Sequence, residues 1–104
     1  GLIGPESLLW QSDLLNERDA NRLKRAGAVG AICGRFYDDQ GVRCSHDLEE
    51  RTIGLNLNEL KKIKHKILIA TGLEKVQAIL GALRGNLADT LIIDIDTAEY
   101  LLKN

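Results

Sequence analysis

Apolar positions in the second half of the chain alternate between continuous runs and stretches with helical spacing. The runs over residues 66–71 and 90–95 are almost entirely apolar, which is typical of buried strands in a parallel sheet. Between them, four apolar residues recur at helical spacing and share one face: Val76, Ile79, Leu80 and Leu83. This order predicts a strand, a helix and a second strand, with a last helix over residues 97–104.

Helix starts are marked by a capping pattern, in which a cap residue is followed three positions later by an acidic residue. Three segments carry it: Asn16 with Asp19, Asn56 with Glu59, and Asp96 with Glu99. The pattern predicts a helix over residues 17–26, which Gly27 ends, and further helices after Asn56 and Asp96.

The segment between the first two helices mixes small and β-branched residues with several glycines. Residues 28–38 predict a strand that passes close to other backbone, and residues 38–41 (DDQG) predict a turn. After the turn, residues 41–45 are expected to return as a short hairpin arm, and residues 52–55 to form a short strand. The opening residues 1–9 read as the end of a strand that runs into a loop.

Strands that alternate with amphipathic helices indicate an α/β, Rossmann-like fold with a parallel sheet covered on both faces. The 104 residues, 44% hydrophobic and 28% charged, fit one compact globular domain. The chain has no methionine and begins with Gly1, so we interpret it as a fragment of a longer protein.

Charge and hydropathy exclude several classes of partner. Fourteen basic and fifteen acidic residues leave a net charge of −1, so no basic excess is present to neutralise nucleic-acid phosphates. No apolar stretch approaches the ~20 residues of a membrane span, and no signal peptide pattern opens the chain. These features predict a cytoplasmic protein without a membrane partner.

The cysteines and histidines do not form a recognisable metal or catalytic pattern. Cys33 and Cys44 lack metal-site spacing, and His46 and His65 lie in different segments. We therefore expect free thiols, no metal, no cofactor and no catalytic residue.

The carboxyl ends of parallel strands are where open sheets of this kind bind ligands. Thr71, Gly72 and Lys75 follow the strand predicted over residues 66–71. Gly72 allows the backbone to approach an anion, helix amides donate to it, and Lys75 adds a positive charge. By spacing alone, however, a solvated lysine explains Lys75 better.

Three other charged positions, Arg35, Asp94 and Asp96, are candidates for contacts with a ligand. Arg35 either binds a phosphate or pairs with Asp38 or Asp39. Asp94 and Asp96 lie at the end of the last predicted strand, where carboxylates can bind sugar hydroxyls, although a helix cap explains Asp96 well enough.

Three blocks of sequence stand out together: GAVGAICGRFYDDQG (27–41), ERTIGLNLNELKKI (50–63) and ILIATGLEKVQAILGALRGNLADTLIIDIDTAEYLL (67–102). In this order they resemble the carboxyl-terminal part of the effector-binding domain of SorC/DeoR-type sugar-responsive transcriptional regulators of bacteria. The family pattern of the first block is G-A-V-G-D-I-x-G-R-F-F-D-x-x-G, and that of the second is R-x-I-G-x-x-L-x-x-L-x-x-I. The third block corresponds to two family patterns in succession, A-G-G-x-x-K-x-x-A-I-x-A-A-L-R-G and L-I-T-D-E-x-T-A-x-x-L-L.

The resemblance implies a fold like that of glucosamine-6-phosphate deaminase, ribose-5-phosphate isomerase and CoA transferases, used to sense a phosphorylated sugar. By the same resemblance, Arg35 and Lys75, with Thr71 and Gly72, hold the phosphate of the effector. Residues 1–104 would be the carboxyl-terminal portion of a single effector-binding domain. The family's amino-terminal helix-turn-helix domain, which binds DNA, is absent from this chain, and the full-length regulator is expected to be a homo-oligomer.

The sequence departs from the family pattern at three positions. Ala31 replaces an aspartate, Thr71 replaces a glycine, and Ile93-Asp94-Ile95 replaces Thr-Asp-Glu. These departures place the identity of the effector in question.

Two rival hypotheses remain. An isomerase or deaminase fragment of the same superfamily would need a general base, for which Asp94 is the only candidate. A structural oligomerisation domain would bury Trp10 and the helix faces against another subunit. A packing anchor or a subunit contact explains Trp10 better than a platform for sugar stacking does.

Overall fold

A computed structural model of the chain describes residues 16–44 and 52–103. The elements follow in the order α1 (Glu17–Arg25), β1 (Gly30–Ile32), β2 (Arg35–Tyr37), α2 (Leu57–Lys61), β3 (Ile67–Ile69), a 3₁₀ turn (Leu73–Lys75), α3 (Val76–Arg84), β4 (Thr90–Ile92) and α4 (Ile95–Lys103). The predictions for residues 1–9 and for Trp10 lie outside the described residues. No helix within the described ranges is long and apolar enough to cross a bilayer.

Two of the three predicted capping boxes are confirmed. At α1 the Asn16 side chain accepts a hydrogen bond from the Asp19 N–H at 2.8 Å, and the Asp19 carboxylate accepts one from the Asn16 N–H at 3.4 Å. At α2 the same pair of bonds joins Asn56 and Glu59. Each box satisfies N–H groups that a helix start leaves without a partner.

The strand predicted over residues 28–38 is instead a β-hairpin. β1 and β2 pair in antiparallel fashion, with Gly30 opposite Tyr37. The chain reverses at Cys33 and Gly34, whose φ angles of 53° and 76° are those of a two-residue hairpin turn. The prediction of one strand was wrong because the apolar pattern continues on both sides of this turn and hides it.

The segments that follow the hairpin match the prediction in part. Asp38 accepts hydrogen bonds from the Gln40 and Val42 N–H groups, both at 2.9 Å, which confirms the predicted turn. Arg43 then forms a bridge with Tyr37, which confirms the short returning arm. The strand predicted over residues 52–55 was wrong, because its carbonyl groups accept hydrogen bonds from the Arg35 side chain rather than from a neighbouring strand.

The predicted strand–helix–strand unit is confirmed as β3, α3 and β4. β3 and β4 are parallel, with Ile67 opposite Thr90 and Ile69 opposite Ile92. One face of this two-stranded sheet is open in the part of the chain described, since Ile67 is 64% and Ile69 71% exposed. The expectation of a sheet covered on both faces is therefore not met within these residues.

The hairpin lies between two parts of the core. Phe36 packs against Leu23 of α1, and its neighbour Tyr37 packs on the opposite side against Leu57 of α2 and Ala82 of α3. Successive strand residues point to opposite faces, so this pair of aromatic rings joins α1 to the helices on the other side. α3, which begins at the candidate site, is thereby fixed to the hairpin.

Candidate functional site

The loop after β3 is held at the carboxyl end of the parallel sheet. The Ala70 N–H donates to the Ile92 carbonyl at 3.0 Å, which extends the pairing of the strands by one residue. Gly72 has φ 108° and ψ 137°, a conformation that side chains disfavour. A Cβ at Gly72 would also collide with the Glu74 carboxylate, so the loop requires glycine here.

Backbone donors follow Gly72 directly. The Lys75 N–H donates to the Gly72 carbonyl at 3.1 Å and the Val76 N–H to the Leu73 carbonyl, which forms the 3₁₀ turn. The N–H groups of Leu73 and Glu74 have no acceptor in residues 16–44 and 52–103. They lie at the positive end of α3, where an anion is stabilised by N–H groups and the helix dipole together.

Lys75 is half-buried at the start of α3. Its ammonium group makes no hydrogen bond or ion pair with any residue that the structure describes. A positive charge at a helix start is unfavourable with the helix dipole, and no carboxylate of the described residues forms an ion pair with it. An anionic ligand would supply that compensation.

Asp94 closes the loop from the side of β4. Its Oδ1 accepts hydrogen bonds from the Gly72 N–H at 3.0 Å and from the Thr97 hydroxyl at 2.7 Å, and its Oδ2 accepts one from the Thr97 N–H at 3.2 Å. These bonds, that from the Thr97 hydroxyl first, lower the pKa of Asp94 to about 2. The carboxylate is therefore fully ionised near neutral pH.

The same bonds correct the predicted start of the last helix. α4 begins at Ile95, and its cap is Asp94, whose carboxylate binds the N–H of the third helical residue. The prediction that Asp96 caps this helix was wrong, since β4 ends at Ile92 and not at residue 95. Asp94 directly precedes the helix and binds the Thr97 N–H, whereas Asp96 lies inside its first turn.

Arg35 is buried, with 6% of its surface exposed. Its Nε donates to the Leu55 carbonyl at 3.2 Å, and one terminal nitrogen donates to the carbonyls of Thr52 at 3.2 Å and Gly54 at 2.9 Å. These carbonyl groups take the place of the predicted partners Asp38 and Asp39, neither of which pairs with Arg35 in the described contacts. Arg35 thus fixes the chain that leads into α2.

The structure brings four of the five predicted site residues into one loop region: Thr71, Gly72, Lys75 and Asp94. Thr71 is exposed beside Gly72. Arg35 leaves β2 on the same face as Tyr37, because alternate strand residues share a face, and Tyr37 contacts α3. No described contact joins Arg35 to the loop.

Sequence reasoning missed two residues of this region. Thr97 is fully buried and binds Asp94 through both its hydroxyl and its N–H, and the spacing Asp94-x-x-Thr97 is the signal that indicates it. Glu74 places its carboxylate against Gly72, which no spacing rule reveals.

Within the described ranges, no three metal-binding side chains lie together. Cys33 and Cys44 are free thiols. Burial, with a smaller effect of the Asp38 charge, raises the pKa of Cys44 to about 11, so this thiol is protonated and weakly nucleophilic near neutral pH.

Comparison with known proteins identifies the family. The model of the family described as "Putative sugar-binding domain" matches residues 1–103. The deoxyribonucleoside regulator of Bacillus subtilis is 42% identical over 104 residues, which are 100% of this chain and 33% of that protein. The chain thus spans about a third of the length of this curated relative.

Solved structures agree with the sequence comparison. A DeoR family transcriptional regulator from Listeria monocytogenes superposes with a TM-score of 0.91 at 31% identity, over 97% of this chain and 41% of that one. The full-length sorbitol operon regulator SorC from Klebsiella pneumoniae superposes with a TM-score of 0.77 at 35% identity, over 83% of this chain and 28% of that one. The chain therefore belongs to the family of sugar-binding domains of DeoR- and SorC-type bacterial transcriptional regulators, which confirms the resemblance in its motifs.

Proposed function

We propose that the chain is the effector-sensing portion of a sugar-responsive transcriptional regulator and binds the phosphate of a phosphorylated sugar at the loop after β3. The observation that carries the proposal is the Lys75 ammonium group, which has no partner among the described residues and belongs to a residue that directly follows the unbonded N–H groups of Leu73 and Glu74. A phosphate accepts hydrogen bonds from all three donors. Thr71 and Gly72 directly precede these three donors in the chain.

Arg35 belongs to the proposal in two ways. Its bonds to the carbonyl groups of residues 52–55 support a role in shaping the region next to α2. That Arg35 also contacts the phosphate, as the family motif implies, stays a prediction. A comparison of the phosphate affinities of an Arg35 variant and a Lys75 variant tests this prediction.

The domain assignment is also a proposal. The chain would be the carboxyl-terminal portion of one effector-binding domain, with a fold like that of glucosamine-6-phosphate deaminase and ribose-5-phosphate isomerase. It spans about a third of its curated relatives, and the open face of β3 and β4 offers Ile67 and Ile69 for further packing. The DNA-binding helix-turn-helix and the contacts of a homo-oligomer would belong to the whole regulator.

Sensing would work through a shift in population. An effector that binds one arrangement of the regulator more tightly changes DNA affinity by a coupling free energy of ~1–3 kcal/mol. The effector needs no chemical step for this, so the site requires binding groups only.

An enzyme of the same superfamily is the alternative, and Asp94 argues against it. A general base works best when its pKa lies near the working pH, whereas three hydrogen bonds lower the pKa of Asp94 to about 2. Its carboxylate lone pairs are also directed at the Gly72 and Thr97 donors. Asp94 is therefore suited to holding the loop rather than to accepting a substrate proton.

Calorimetric titration of the protein with inorganic phosphate, glucose 6-phosphate, ribose 5-phosphate and the two unphosphorylated sugars tests the proposal. We expect saturable binding of at least one sugar phosphate, no binding of the unphosphorylated sugars, and a loss of about tenfold or more in affinity for Lys75→Ala. Lys103→Ala, which removes an exposed lysine at the end of α4, is the control. Equal affinity of Lys75→Ala and wild type would remove Lys75 from the site, and turnover of the sugar phosphate would favour the enzyme.

A further inference from the structure

Asp94 connects the candidate site to α4. One carboxylate oxygen is shared between the Gly72 N–H and the Thr97 hydroxyl, and the other binds the Thr97 N–H. Gly72 lies in the loop after β3, and Thr97 lies in the first turn of α4. The Asp94 carboxylate therefore joins the start of α4 to a loop whose Gly72 is 22 residues before Asp94 in the chain. The two segments are also packed together where the 3₁₀ turn meets α4.

The bond to Gly72 fixes the peptide group from which the site begins. Gly72 has φ 108° and ψ 137°, a conformation that favours glycine, and these two angles together with the direction of its N–H set where the next N–H group, that of Leu73, points. Charge-assisted bonds to a carboxylate are stronger and shorter than neutral ones. Asp94 therefore fixes the peptide group that precedes Gly72, which is one end of the loop that carries the Leu73 and Glu74 N–H groups.

The other end of the connection is rigid. Thr97 is fully buried, and Asp94 caps α4 through the Thr97 N–H. By contrast, Asp96 is exposed and makes no hydrogen bond or ion pair with the described residues. The two aspartates of this short segment thus differ in role, although both have the same charge.

We propose that Asp94 is a positioning residue: it orients the Gly72 loop for anion binding and links the occupancy of that loop to the start of α4. The anion-binding part rests on the proposed function above. The link between Gly72 and α4 rests on the three hydrogen bonds alone.

The substitution Asp94→Asn separates this role from simple electrostatics. Asparagine caps helices as well as aspartate does, so α4 is expected to remain folded. When its single oxygen caps α4 through the Thr97 N–H, its NH₂ group faces the Gly72 N–H, so the bond to Gly72 is lost. Removing a negative charge near an anion site should by itself tighten anion binding, whereas loss of the loop orientation should weaken it.

The binding experiment uses inorganic phosphate, which has no sugar hydroxyl group. We expect Asp94→Asn to bind phosphate about tenfold more weakly than wild type, and the control Asp96→Asn to bind it as wild type or more tightly. If Asp94→Asn binds phosphate as tightly as wild type, or more tightly, the positioning role is wrong. A loss confined to sugar phosphates would overturn it too, since Asp94 would then contact sugar hydroxyls directly.

Amide hydrogen exchange, measured residue by residue by NMR, tests the connection without any ligand. In the wild type we expect slow exchange at Gly72 and Thr97 and fast exchange at Leu73 and Glu74, and in Asp94→Asn faster exchange at Gly72. Unchanged exchange at Gly72 in Asp94→Asn would overturn the proposal. If exchange responds as expected but the wild type binds neither phosphate nor any sugar phosphate, the connection stands and the proposed function fails.

Discussion

The hydroxyl of Tyr37 donates a hydrogen bond to the carbonyl oxygen of Ala78 over 2.8 Å. Tyr37 is 2% exposed and lies on β2, whereas Ala78 is in the first turn of α3. Because Lys75 lies just before that turn, this buried bond sets the position of the candidate site relative to the hairpin.

Replacing Tyr37 by phenylalanine should destabilise the protein moderately. The ring still fills its space, and the Ala78 carbonyl keeps its helical partner, so only the side-chain bond is lost. We expect the free energy of unfolding to fall by about 0.5–1.5 kcal/mol, the usual contribution of one such bond. Urea denaturation followed by circular dichroism measures it, and an unchanged midpoint would show that the bond contributes nothing.

The same tyrosine predicts a loss of stability at alkaline pH. Burial raises the pKa of Tyr37 to about 12, above the value of ~10 for an unfolded chain. Tyr37 therefore contributes its full share of stability below pH ~10, and that share is lost as the pH rises toward 12. Denaturation curves at several pH values should show this loss in wild type and a smaller one in Tyr37→Phe, and parallel profiles would contradict it.

Replacing Gly81 by alanine tests a different contact between α3 and the hairpin. Alanine favours helix by about 1 kcal/mol over glycine, but a Cβ here would lie 2.7 Å from the Asp38 carbonyl oxygen. Because that oxygen belongs to the backbone of a tight turn, relief requires the turn to move. We expect a net loss of about 1–3 kcal/mol in the free energy of unfolding, measured by the same denaturation, and a gain would show that the turn yields easily.

The fold was predictable where one local signal dominated. The capping boxes at Asn16 and Asn56 and the strand–helix–strand unit around α3 follow from short-range patterns. The hairpin turn at Cys33 and Gly34 was not predictable in this way, because a cysteine with positive φ carries no clear composition signal.

The residues of the candidate site were named from the sequence and their role stays a prediction, whereas their contacts could not be predicted. Spacing and family resemblance located Thr71, Gly72 and Lys75, which the fold brings to one loop. The contacts of two other residues are long-range. The Arg35 guanidinium donates to carbonyl groups 17 to 20 residues away. The Asp94 carboxylate, which caps α4, also accepts a hydrogen bond from Gly72, 22 residues away. Such partners depend on tertiary packing, which the linear sequence does not display.

Replacing Arg35 by lysine should destabilise the protein even though the charge is kept. One ammonium group cannot reproduce the geometry with which a planar guanidinium contacts the three carbonyls of residues 52–55. We expect a loss of about 1–3 kcal/mol in the free energy of unfolding. Arg25→Lys, an exposed position in α1 without a partner in the described contacts, should change it little.

Phosphate titration of the folded Arg35→Lys variant then separates its two proposed roles. If Arg35 only shapes the protein, the affinity for phosphate at a temperature where the variant is folded should remain close to that of wild type. A loss as large as that of Lys75→Ala would instead place Arg35 at the phosphate.

Replacing Glu74 by glutamine should tighten phosphate binding. The Glu74 carboxylate lies against Gly72. It therefore places a negative charge close to the N–H groups that would bind the phosphate. Removing that charge while keeping the shape should raise the affinity by about two- to fivefold at low salt, and the gain should shrink in 1 M salt, where charges are screened. Titration of the protein with inorganic phosphate at both ionic strengths measures the effect.

The control for Glu74 is Glu99→Gln, which makes the same change of charge on an exposed residue of α4. It should leave phosphate affinity close to that of wild type, because a charge outside the loop is screened by solvent. Equal gains in the two variants would reflect net charge alone. No gain in Glu74→Gln, with phosphate bound normally, would mean that the anion lies away from Gly72, and the donors of Leu73 and Glu74 would then have to be excluded from the site.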